Sequence, residues 1–324
     1  MFENKSIIIG VSGGIAAYKT AYLVSALSKT EADVNVIMTE NACEFISPLV
    51  FETLTGNKCY VDTFDRNFKF DVEHISLAKK ADIFMIAPAT ANVIAKIANG
   101  IADDMLTTTF LASKCKKIVS PAMNTAMFEN QITQDNIAKL KKYGIGVVEP
   151  QNGLLACGDT GAGKMPEPDF LFDVIEREIA REKDMLGKKV LVTAGATMES
   201  LDPVRFLTNH SSGKMGFAIA KEAMLRGAEV TVVKANTTAK IPNFVKIVEV
   251  SSAKDMFDAV TALSDQQDII VKAAAVADYT PESYVDSKIK KKDGELSIPL
   301  KRTKDILKYL GENKKEGQFL CGFS

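Results

Sequence analysis

Two loops in this chain place glycine and serine directly before a helical pattern. The first, residues 12–14 (Ser-Gly-Gly), follows an apolar run and precedes a helical stretch over residues 15–28. The second, residues 211–213 (Ser-Ser-Gly), precedes a helical stretch that ends near residue 226. Unpaired N–H groups and the helix dipole attract phosphate at such positions, although a tight turn that needs glycine explains either loop equally well. Together the loops predict two phosphate-bearing ligands, and without GxGxxG spacing they do not predict an NAD site.

Three single residues could carry acid–base or carboxylate chemistry. His74 begins a helical pattern, Asn124 follows an apolar strand pattern, and Cys157 lies beside Gly158 in a segment of small residues. Taken alone, the histidine is more usually a polar helix-start residue, and the asparagine after a buried strand is more usually a helix cap. A cysteine in an accessible loop can donate or accept a proton, whereas most buried structural cysteines are inert. Each of these signals is weak when taken alone.

Residues 158–165 resemble the phosphate-binding pattern GxxxxGK[ST] but depart from it at the last position. Met165 stands where a hydroxyl should hold Mg²⁺, and Pro166 follows at once. The order of strand, loop and long helix that this motif requires is also poor here. The segment is therefore predicted not to be a P-loop.

The elements that must position these residues repeat one arrangement in the two halves of the chain. In each half a β-rich run, a Gly/Ser turn and a helical pattern follow one another, as in the opening unit of a doubly wound sheet. Helical patterns separate most further strand candidates, which predicts mainly parallel sheets covered on both faces. The predicted strands are residues 6–11, 34–38, 83–87, 117–120, 189–193, 229–233, 246–250 and 268–273. The predicted fold class is α/β, with two doubly wound Rossmann-like domains.

The boundary between the two domains is predicted between Pro166 and Lys188. Residues 170–185 have the pattern of a charged amphipathic helix, which Leu186 and Gly187 close. The domains are therefore predicted at residues 1–181 and 187–324. The last six residues have the pattern of a strand without a polar tail, so the second domain is expected to be incomplete at its C-terminus.

Composition restricts the class of protein. Forty basic and 41 acidic residues give a net charge of −1 without a long basic block, so nucleic acid is not an expected partner. Five scattered cysteines and two histidines argue against a disulfide framework, a zinc ribbon and a His-rich metal site, and suit a reducing compartment. The N-terminus lacks the shape of a signal peptide, and no apolar run reaches the roughly 18 residues of a spanning helix. A soluble cytoplasmic protein without a membrane partner is expected.

Taken in order, the motifs of the first half resemble those of the flavin-dependent cysteine decarboxylases. They are residues 12–19 (SGGIAAYK), 73–75 (EHI), 88–92 (PATAN), 121–127 (PAMNTAM) and 156–165. The second half resembles phosphopantothenate-cysteine ligase in residues 202–205 (DPVR), 209–216 (NHSSGKMG) and 272–279 (KAAAVADY). The order of the halves is similar to that of the bifunctional coenzyme A biosynthesis family of bacteria, and the resemblance covers essentially the whole chain.

The resemblance implies FMN as the cofactor of the first half, and 4′-phosphopantothenoylcysteine as a substrate that loses CO₂ to give 4′-phosphopantetheine. In that family the flavin oxidises the cysteine-derived thiol to a thioaldehyde, which eases the loss of CO₂. His74 matches the histidine of the oxidative step, Asn124 the asparagine that holds the substrate carboxylate, and Cys157 the later proton donor. A thiol with an ordinary pKa of about 8.5 is mostly protonated at neutral pH, which suits a donor. The residues that align with the FMN site are Ser12, Gly13, Gly14, Thr39, Ala89 and Thr90.

For the second half the resemblance implies ligation of cysteine to 4′-phosphopantothenate with CTP and Mg²⁺ or Mn²⁺, through an acyl-cytidylate. This chemistry needs cations at the phosphates and donors at the developing oxyanion. Arg205 and Asn209 match residues that handle the acyl intermediate, and Lys288 matches the catalytic lysine. The residues that align with the nucleotide site are Ser211, Ser212, Gly213, Lys272, Ala273, Ala274, Asp278, Lys288, Thr303, Lys304, Asp305, Ile306 and Phe323. Lys304 replaces the family's usual proline, and the residues that bind the metal are not identified.

Two other functions stay open on the sequence. A non-catalytic regulatory flavoprotein subunit of the same fold does not need the three catalytic residues of the first half, and their joint retention argues against it. A flavin prenyltransferase shares the fold, but that function does not explain the Cys157 segment or the presence of a fused nucleotide-binding half. The resemblance also implies homo-oligomers, trimer-based in the flavin domain with the site at subunit contacts, and dimeric in the ligase domain.

Overall fold

The computed structural model describes residues 2–63, 73–154, 158, 160–290 and 297–323. It divides into two compact units, Met1–Ala180 and Arg181–Ser324. Among the described residues, no helix combines the length and the apolarity needed to cross a bilayer.

The first unit contains one sheet, one separate hairpin and the helices that cover the sheet. The sheet strands are β1 (Ser6–Val11), β2 (Asp33–Met38), β3 (Cys59–Tyr60), β4 (Ile83–Ala89), β5 (Lys116–Pro121) and β6 (Gly146–Val147). The hairpin strands are β7 (Gln151–Leu154) and β8 (Thr160–Lys164). The helices are α1 (Ala17–Leu27), α2 (Glu40–Cys43), α3 (Pro48–Thr55), α4 (Glu73–Lys80), α5 (Ala91–Ala98), α6 (Met105–Ala112), α7 (Thr125–Glu129), α8 (Gln131–Lys142) and α9 (Pro168–Ile179).

All neighbouring strands of this sheet are parallel, in the order β3-β2-β1-β4-β5-β6. The central strand β4 is buried along its whole length, as its continuous apolar sequence predicts for a strand with helices on both faces. The ring of Phe84, a residue of β4, packs edge to face against the ring of Phe110 in α6, with centroids 5.1 Å apart. Successive strands are added on one side of β1 up to β3, and from β4 onward they are added on its other side. The gap between the ends of β1 and β4 is therefore the switch point, where doubly wound folds bind their ligands.

The second unit repeats this arrangement with fewer helices. Its strands are β9 (Lys189–Ala194), β10 (Met198–Ser200), β11 (Phe206–Thr208), β12 (Glu229–Lys234), β13 (Lys246–Glu249), β14 (Ile269–Lys272), β15 (Tyr279–Pro281), β16 (Leu300–Arg302) and β17 (Phe319–Gly322). Its helices are α10 (Lys214–Leu225), α11 (Ala253–Ser264) and α12 (Ile306–Glu312). The main sheet is parallel, in the order β13-β12-β9-β14-β17, while β10-β11 and β15-β16 form antiparallel pairs.

These two sheets confirm the predicted α/β class and the eight predicted strands, within one or two residues at their ends. The prediction that residues 158–165 do not form a P-loop is confirmed, because residues 160–164 form the strand β8. The helix predicted over residues 170–185 was too long, since α9 ends at Ile179. The residues that follow make hydrogen bonds with the end of α10 instead: Lys183 Nζ donates to Leu225 O, and Met185 N–H donates to Arg226 O.

Candidate functional site

In the first unit, four of the predicted site residues lie in loops at one edge of the sheet. Ser12 follows β1, Thr39 follows β2, Thr90 follows β4, and Asn124 lies three residues after β5. Because parallel strands end at the same edge, the fold brings these loops together although they are far apart in sequence.

The Ser12 side chain joins two of these loops. It is fully buried, its hydroxyl donates to Pro88 O at 2.7 Å, and it accepts the Thr90 N–H at 3.0 Å. A serine hydroxyl has one hydrogen to donate, and here that hydrogen is used on Pro88. Ser12 therefore shapes the loop beside the predicted phosphate site.

The N-terminus of α1 offers backbone donors. The N–H groups of residues 13–16 make no hydrogen bond within the described part of the chain, and the N-cap residue Ala16 provides no side-chain cap. Unpaired N–H groups at a helix N-terminus attract anions. Gly13 fits tightly, because a Cβ there would lie 2.7 Å from Asn41 Cβ, whereas a Cβ on Gly14 would meet only Thr90 Cγ2 at 3.9 Å.

A cavity of about 410 Å³ opens beside this helix end. Four predicted site residues line it: Gly13, Gly14, Thr90 and Asn124. The rest of the lining is mainly apolar and includes Ile15, Met123, Met127 and Met165. A largely apolar cavity with a few polar groups is the usual form of a cofactor or substrate site.

Asn124 is placed by its role at the start of α7. Its Oδ1 accepts the Ala126 N–H at 2.8 Å, which makes it the N-cap of the helix. An asparagine side chain also carries N–H donors, the type of group that can bind a carboxylate.

The β7-β8 hairpin forms one wall of the cavity. Gly163 O accepts the Met123 N–H at 3.1 Å, and Gly163 has a φ of +124°, with no room for a Cβ against Met123 O. Lys19, a buried cavity residue, donates from Nζ to Met165 O at 3.2 Å and to Glu167 Oε1 at 2.8 Å. These bonds fix the end of the hairpin to α1.

The remaining predicted residues of the first unit are not brought to this cavity. His74 is a half-buried residue of α4, Ala89 is buried at the end of β4, and Thr39 caps α2; none of them lines it. Cys157 lies outside the described residues. Sequence reasoning missed Lys19, because a lysine in an amphipathic helix normally lies on the solvated face.

In the second unit, three of the predicted nucleotide residues also follow the ends of parallel strands. Ala273 and Ala274 follow β14, and both of their N–H groups donate to Thr193 Oγ1, at 3.1 and 3.0 Å. Phe323 follows β17, and its N–H donates to Lys272 O at 3.0 Å. Thr193, which sequence reasoning did not single out, thus fixes the turn that contains two predicted nucleotide residues.

The loop 211–213 lies at the end of β9. Gly213 is the N-cap of α10 with a φ of +77°, and a Cβ there would lie 2.7 Å from Thr237 Oγ1 and 3.1 Å from Gly195 N. Thr237 also donates to Ser212 O at 2.6 Å, while the Ser211 N–H donates to Asn209 O at 3.0 Å. The two loops singled out in the sequence therefore hold equivalent places in the two sheets.

Residues 303–306 pack beside the turn after β14. The Thr303 hydroxyl donates to Ala277 O at 2.7 Å, and its N–H donates to Asp278 O at 2.9 Å. Asp305 caps α12, whose first residue, Ile306, is buried in the core. The Lys304 ammonium lies 4.7 Å from the centroid of the Phe257 ring, a cation–π contact that the usual proline could not make.

The predicted ligase catalytic residues differ in their surroundings. Asn209 and Lys288 are exposed. Arg205 donates from Nε and Nη2 to Asp202 Oδ2, at 3.0 and 2.7 Å, and from Nη2 to Ile289 O at 2.6 Å. Burial alone would raise the pKa of the Asp202 carboxyl, but the Ile289 and Val204 N–H groups and the Arg205 guanidinium hold that pKa well below its usual range.

Comparison with known proteins gives matches along the whole chain. The Flavoprotein family matches residues 1–180, and the family described as DNA/pantothenate metabolism flavoprotein C-terminal domain matches residues 185–324. The coenzyme A biosynthesis bifunctional protein CoaBC of Bacillus subtilis is 46% identical, over 100% of this chain and 80% of that protein. The protein of the same name from Borreliella burgdorferi is 42% identical, over 100% and 83% respectively. A solved structure of a PPC decarboxylase mutant complexed with pantothenoylaminoethenethiol is 30% identical, covers 53% of this chain and 96% of its own, and has a TM-score of 0.48.

Proposed function

The chain belongs to the family of bifunctional coenzyme A biosynthesis proteins, which have a decarboxylase and a ligase activity, and from this premise we propose its substrates, cofactors and site residues. The proposed ligase, residues 187–324, joins cysteine to 4′-phosphopantothenate with CTP. The proposed decarboxylase, residues 1–181, then converts 4′-phosphopantothenoylcysteine to 4′-phosphopantetheine with FMN. A regulatory subunit does not account for 46% identity to a bifunctional enzyme over the whole chain.

The observation that carries the decarboxylase proposal is the cavity beside the uncapped N-terminus of α1. The N–H groups of residues 13–16, which have no partner in the described part of the chain, suit a phosphate, and the open side of Gly14 and the apolar lining suit a flat ring system. These residues fit FMN, which supplies a two-electron acceptor when it is bound. We assign the FMN phosphate to this helix end and, from the family resemblance, the substrate carboxylate to the Asn124 side chain.

His74 and Cys157 complete the proposed decarboxylase site. His74 is assigned to the oxidative step, and the Cys157 thiol donates the proton that the product needs at carbon. His74 is not among the described residues that line the cavity, and the family resemblance suggests a site shared between the subunits of a trimer. A neighbouring copy would then bring His74 to the substrate.

For the ligase we assign the CTP phosphates, with Mg²⁺ or Mn²⁺, to the loop 211–213 and the first turn of α10. Ala273, Ala274, Asp278 and Phe323, at the ends of β14 and β17, are assigned to the nucleoside. The Lys288 ammonium stabilises the charge that develops as the acyl-cytidylate forms, and Asn209 donates to the acyl oxygen. Dimers of the ligase unit are part of the same proposal.

The first experiment is a visible absorption spectrum of the purified chain, followed by identification of any released flavin and an assay of CO₂ release from 4′-phosphopantothenoylcysteine. Near-stoichiometric FMN and CO₂ release are expected. Cys157→Ser is expected to keep the flavin and lose product formation. A colourless protein that cannot be reconstituted with FMN excludes the decarboxylase proposal, and full turnover by Cys157→Ser excludes the proton-donor assignment.

The second experiment measures pyrophosphate release from CTP in the presence of 4′-phosphopantothenate, Mg²⁺ and cysteine. Lys288→Ala is expected to lower kcat by about 100-fold, the scale of losing one group that stabilises transition-state charge. Its flavin content, a property of the other unit, is expected to stay unchanged. ATP in place of CTP tests the nucleotide assignment, and equal rates with both would exclude specificity for cytidine.

A further inference from the structure

Ile289, the residue directly after Lys288, is held by both of its backbone polar groups. Its N–H donates to Asp202 Oδ2 at 3.1 Å, and its carbonyl accepts from Arg205 Nη2 at 2.6 Å. Asp202 and Arg205 are 87 and 84 residues away from Ile289 in the sequence. We infer that this pair, the Asp202–Arg205 clamp, positions Lys288 for the ligation step; the inference rests on the proposed ligase function.

The clamp is itself fixed by the turn between β10 and β11. Asp202 Oδ1 accepts the Val204 and Arg205 N–H groups at 2.9 and 2.8 Å, and the Leu201 N–H donates to Arg205 O at 2.8 Å. Oδ1 thus shapes the turn, while Oδ2 bonds to the Arg205 guanidinium and to Ile289. Asp202 is 2% exposed, so the carboxylate has these partners in place of water.

A second bond joins the same turn to the segment that leads to Lys288. The Val285 N–H donates to Leu201 O at 3.2 Å, three residues before Lys288. The segment is therefore attached to the β10-β11 turn on both sides of the lysine, while the Lys288 side chain itself is exposed. The arrangement fixes the backbone from which the lysine extends and leaves its ammonium able to reach a ligand.

The clamp gives Arg205 a positioning role. Two of its three side-chain nitrogens, Nε and Nη2, donate hydrogen bonds to Asp202 and Ile289 and so hold protein groups in place. A fixed backbone limits how far the flexible lysine side chain can move from the reacting atoms. This matters because small displacements of a catalytic group lower the reaction rate strongly. Asp202, whose carboxylate holds both Arg205 and the Ile289 N–H, is the centre of the arrangement.

The structural part is tested by hydrogen exchange of the full chain, followed in peptides over residues 283–290. Asp202→Asn keeps the shape of the side chain but loses the charge that attracts Arg205. Exchange in this segment is expected to rise by roughly 10- to 100-fold, the range for a lost charge-assisted hydrogen bond. Asp286→Asn, an exposed acid on the same segment, is the matched control and should not change it. Unchanged exchange in Asp202→Asn overturns the clamp.

The functional part is tested by a cycle of Asp202→Asn, Lys288→Ala and the double variant, measured as the rate of pyrophosphate release. Asp202→Asn is expected to lower kcat about 10-fold or more, with KM for CTP little changed, and to cost nothing further in the Lys288→Ala background. Equal losses in both backgrounds, or an effect on KM alone, overturn the inference while the ligase proposal stands. Full activity of Lys288→Ala overturns the proposed role of the lysine and the inference with it. The exchange data would then still report whether Asp202 and Arg205 fix the backbone of residues 283–290.

Discussion

Gly13 and Gly14 are adjacent, but the space around them differs. A methyl group on Gly13 would meet Asn41 at 2.7 Å from its Cβ and 2.9 Å from its backbone oxygen, whereas one on Gly14 has no neighbour closer than 3.9 Å among the residues that the structure describes. We expect Gly13→Ala to destabilise the first unit by about 1–3 kcal/mol, the usual cost of overpacking. Gly14→Ala should leave the flavin-free protein as stable as the wild type, as measured by urea unfolding.

Flavin titration separates the two glycine variants further. If the ring system of FMN lies against Gly14, the added methyl occupies its space and the affinity falls by roughly tenfold, or about 1.4 kcal/mol. Wild-type affinity in Gly14→Ala would place the flavin elsewhere in the cavity. Wild-type stability in Gly13→Ala would show that the loop before α1 can move away from Asn41.

Lys19 lowers the pKa of Glu167, because its buried ammonium donates to that carboxylate. The folded pKa lies below the ordinary value of 4.5, so the pair contributes stability above that pH and loses it as the pH falls through the folded pKa. We expect Lys19→Met to remove most of this acid dependence, because Lys164 contributes only a smaller lowering. The contribution should be about 1 kcal/mol or less, since Glu167 is largely exposed to solvent.

The measurement is urea unfolding of the wild type and Lys19→Met between pH 3 and pH 7. Lys164→Met is the matched control, because Lys164 Nζ is also near Glu167, at 3.9 Å, but is half exposed and makes no hydrogen bond to it. A stability difference between wild type and Lys19→Met that does not shrink toward pH 3 would contradict the assignment to Glu167.

At the scale of elements, one threonine joins the ends of two neighbouring strands. Thr193, at the end of β9, is fully buried and accepts both N–H groups that follow β14. Thr193→Val keeps the shape but leaves one buried and one half-buried donor unpaired, at an expected cost of about 2–4 kcal/mol in the free energy of unfolding. Because these donors belong to Ala273 and Ala274, KM for CTP should rise as well.

Thr231→Val is the control for this change. Thr231 lies on β12 of the same sheet, is half-buried, and its hydroxyl makes no hydrogen bond among the described residues. Its replacement is expected to change the free energy of unfolding by less than about 0.5 kcal/mol. Equal stabilities of the two variants would show that the turn after β14 does not depend on the Thr193 hydroxyl.

The parallel strands could be predicted from sequence because burial on both faces requires a continuous apolar run, as in β4. The β7-β8 hairpin could not. Its strands are rich in glycine and polar residues and lack an alternating pattern, so their pairing depends on packing against α7 and on bonds such as Met123 N–H to Gly163 O. Tertiary contacts of this kind leave no local signal.

The candidate sites were predictable to a similar extent. The family resemblance predicted Gly13, Gly14 and Thr90 at the flavin and Asn124 at the substrate carboxylate, and in the structure these four residues line one cavity. The partner of Ser12 could not be foreseen, because Pro88 lies 76 residues away and nothing in either segment specifies the bond. The bond between Arg205 and Ile289 O could not be predicted for the same reason, because these residues are 84 positions apart.

At the scale of the whole molecule, each unit has a buried core of its own. Ile86 lies in the core of the first unit and Leu191 in that of the second, and both are fully buried. The chain has no tryptophan, so a bound flavin would be the natural optical signal of the first unit. A chain of two such units need not unfold in one transition, and each core is expected to control the unfolding of its own unit.

Ile86→Ala and Leu191→Ala test this expectation with the same kind of substitution. Each removes a fully buried side chain and should cost about 2–5 kcal/mol in its own unit. Ile86→Ala is expected to lower the urea midpoint of flavin release while hydrogen exchange of β9 stays unchanged. Leu191→Ala should increase exchange in β9 and leave flavin release unchanged. If either substitution shifts both signals equally, the two units unfold together, and a decarboxylase half expressed alone would not be expected to keep its stability.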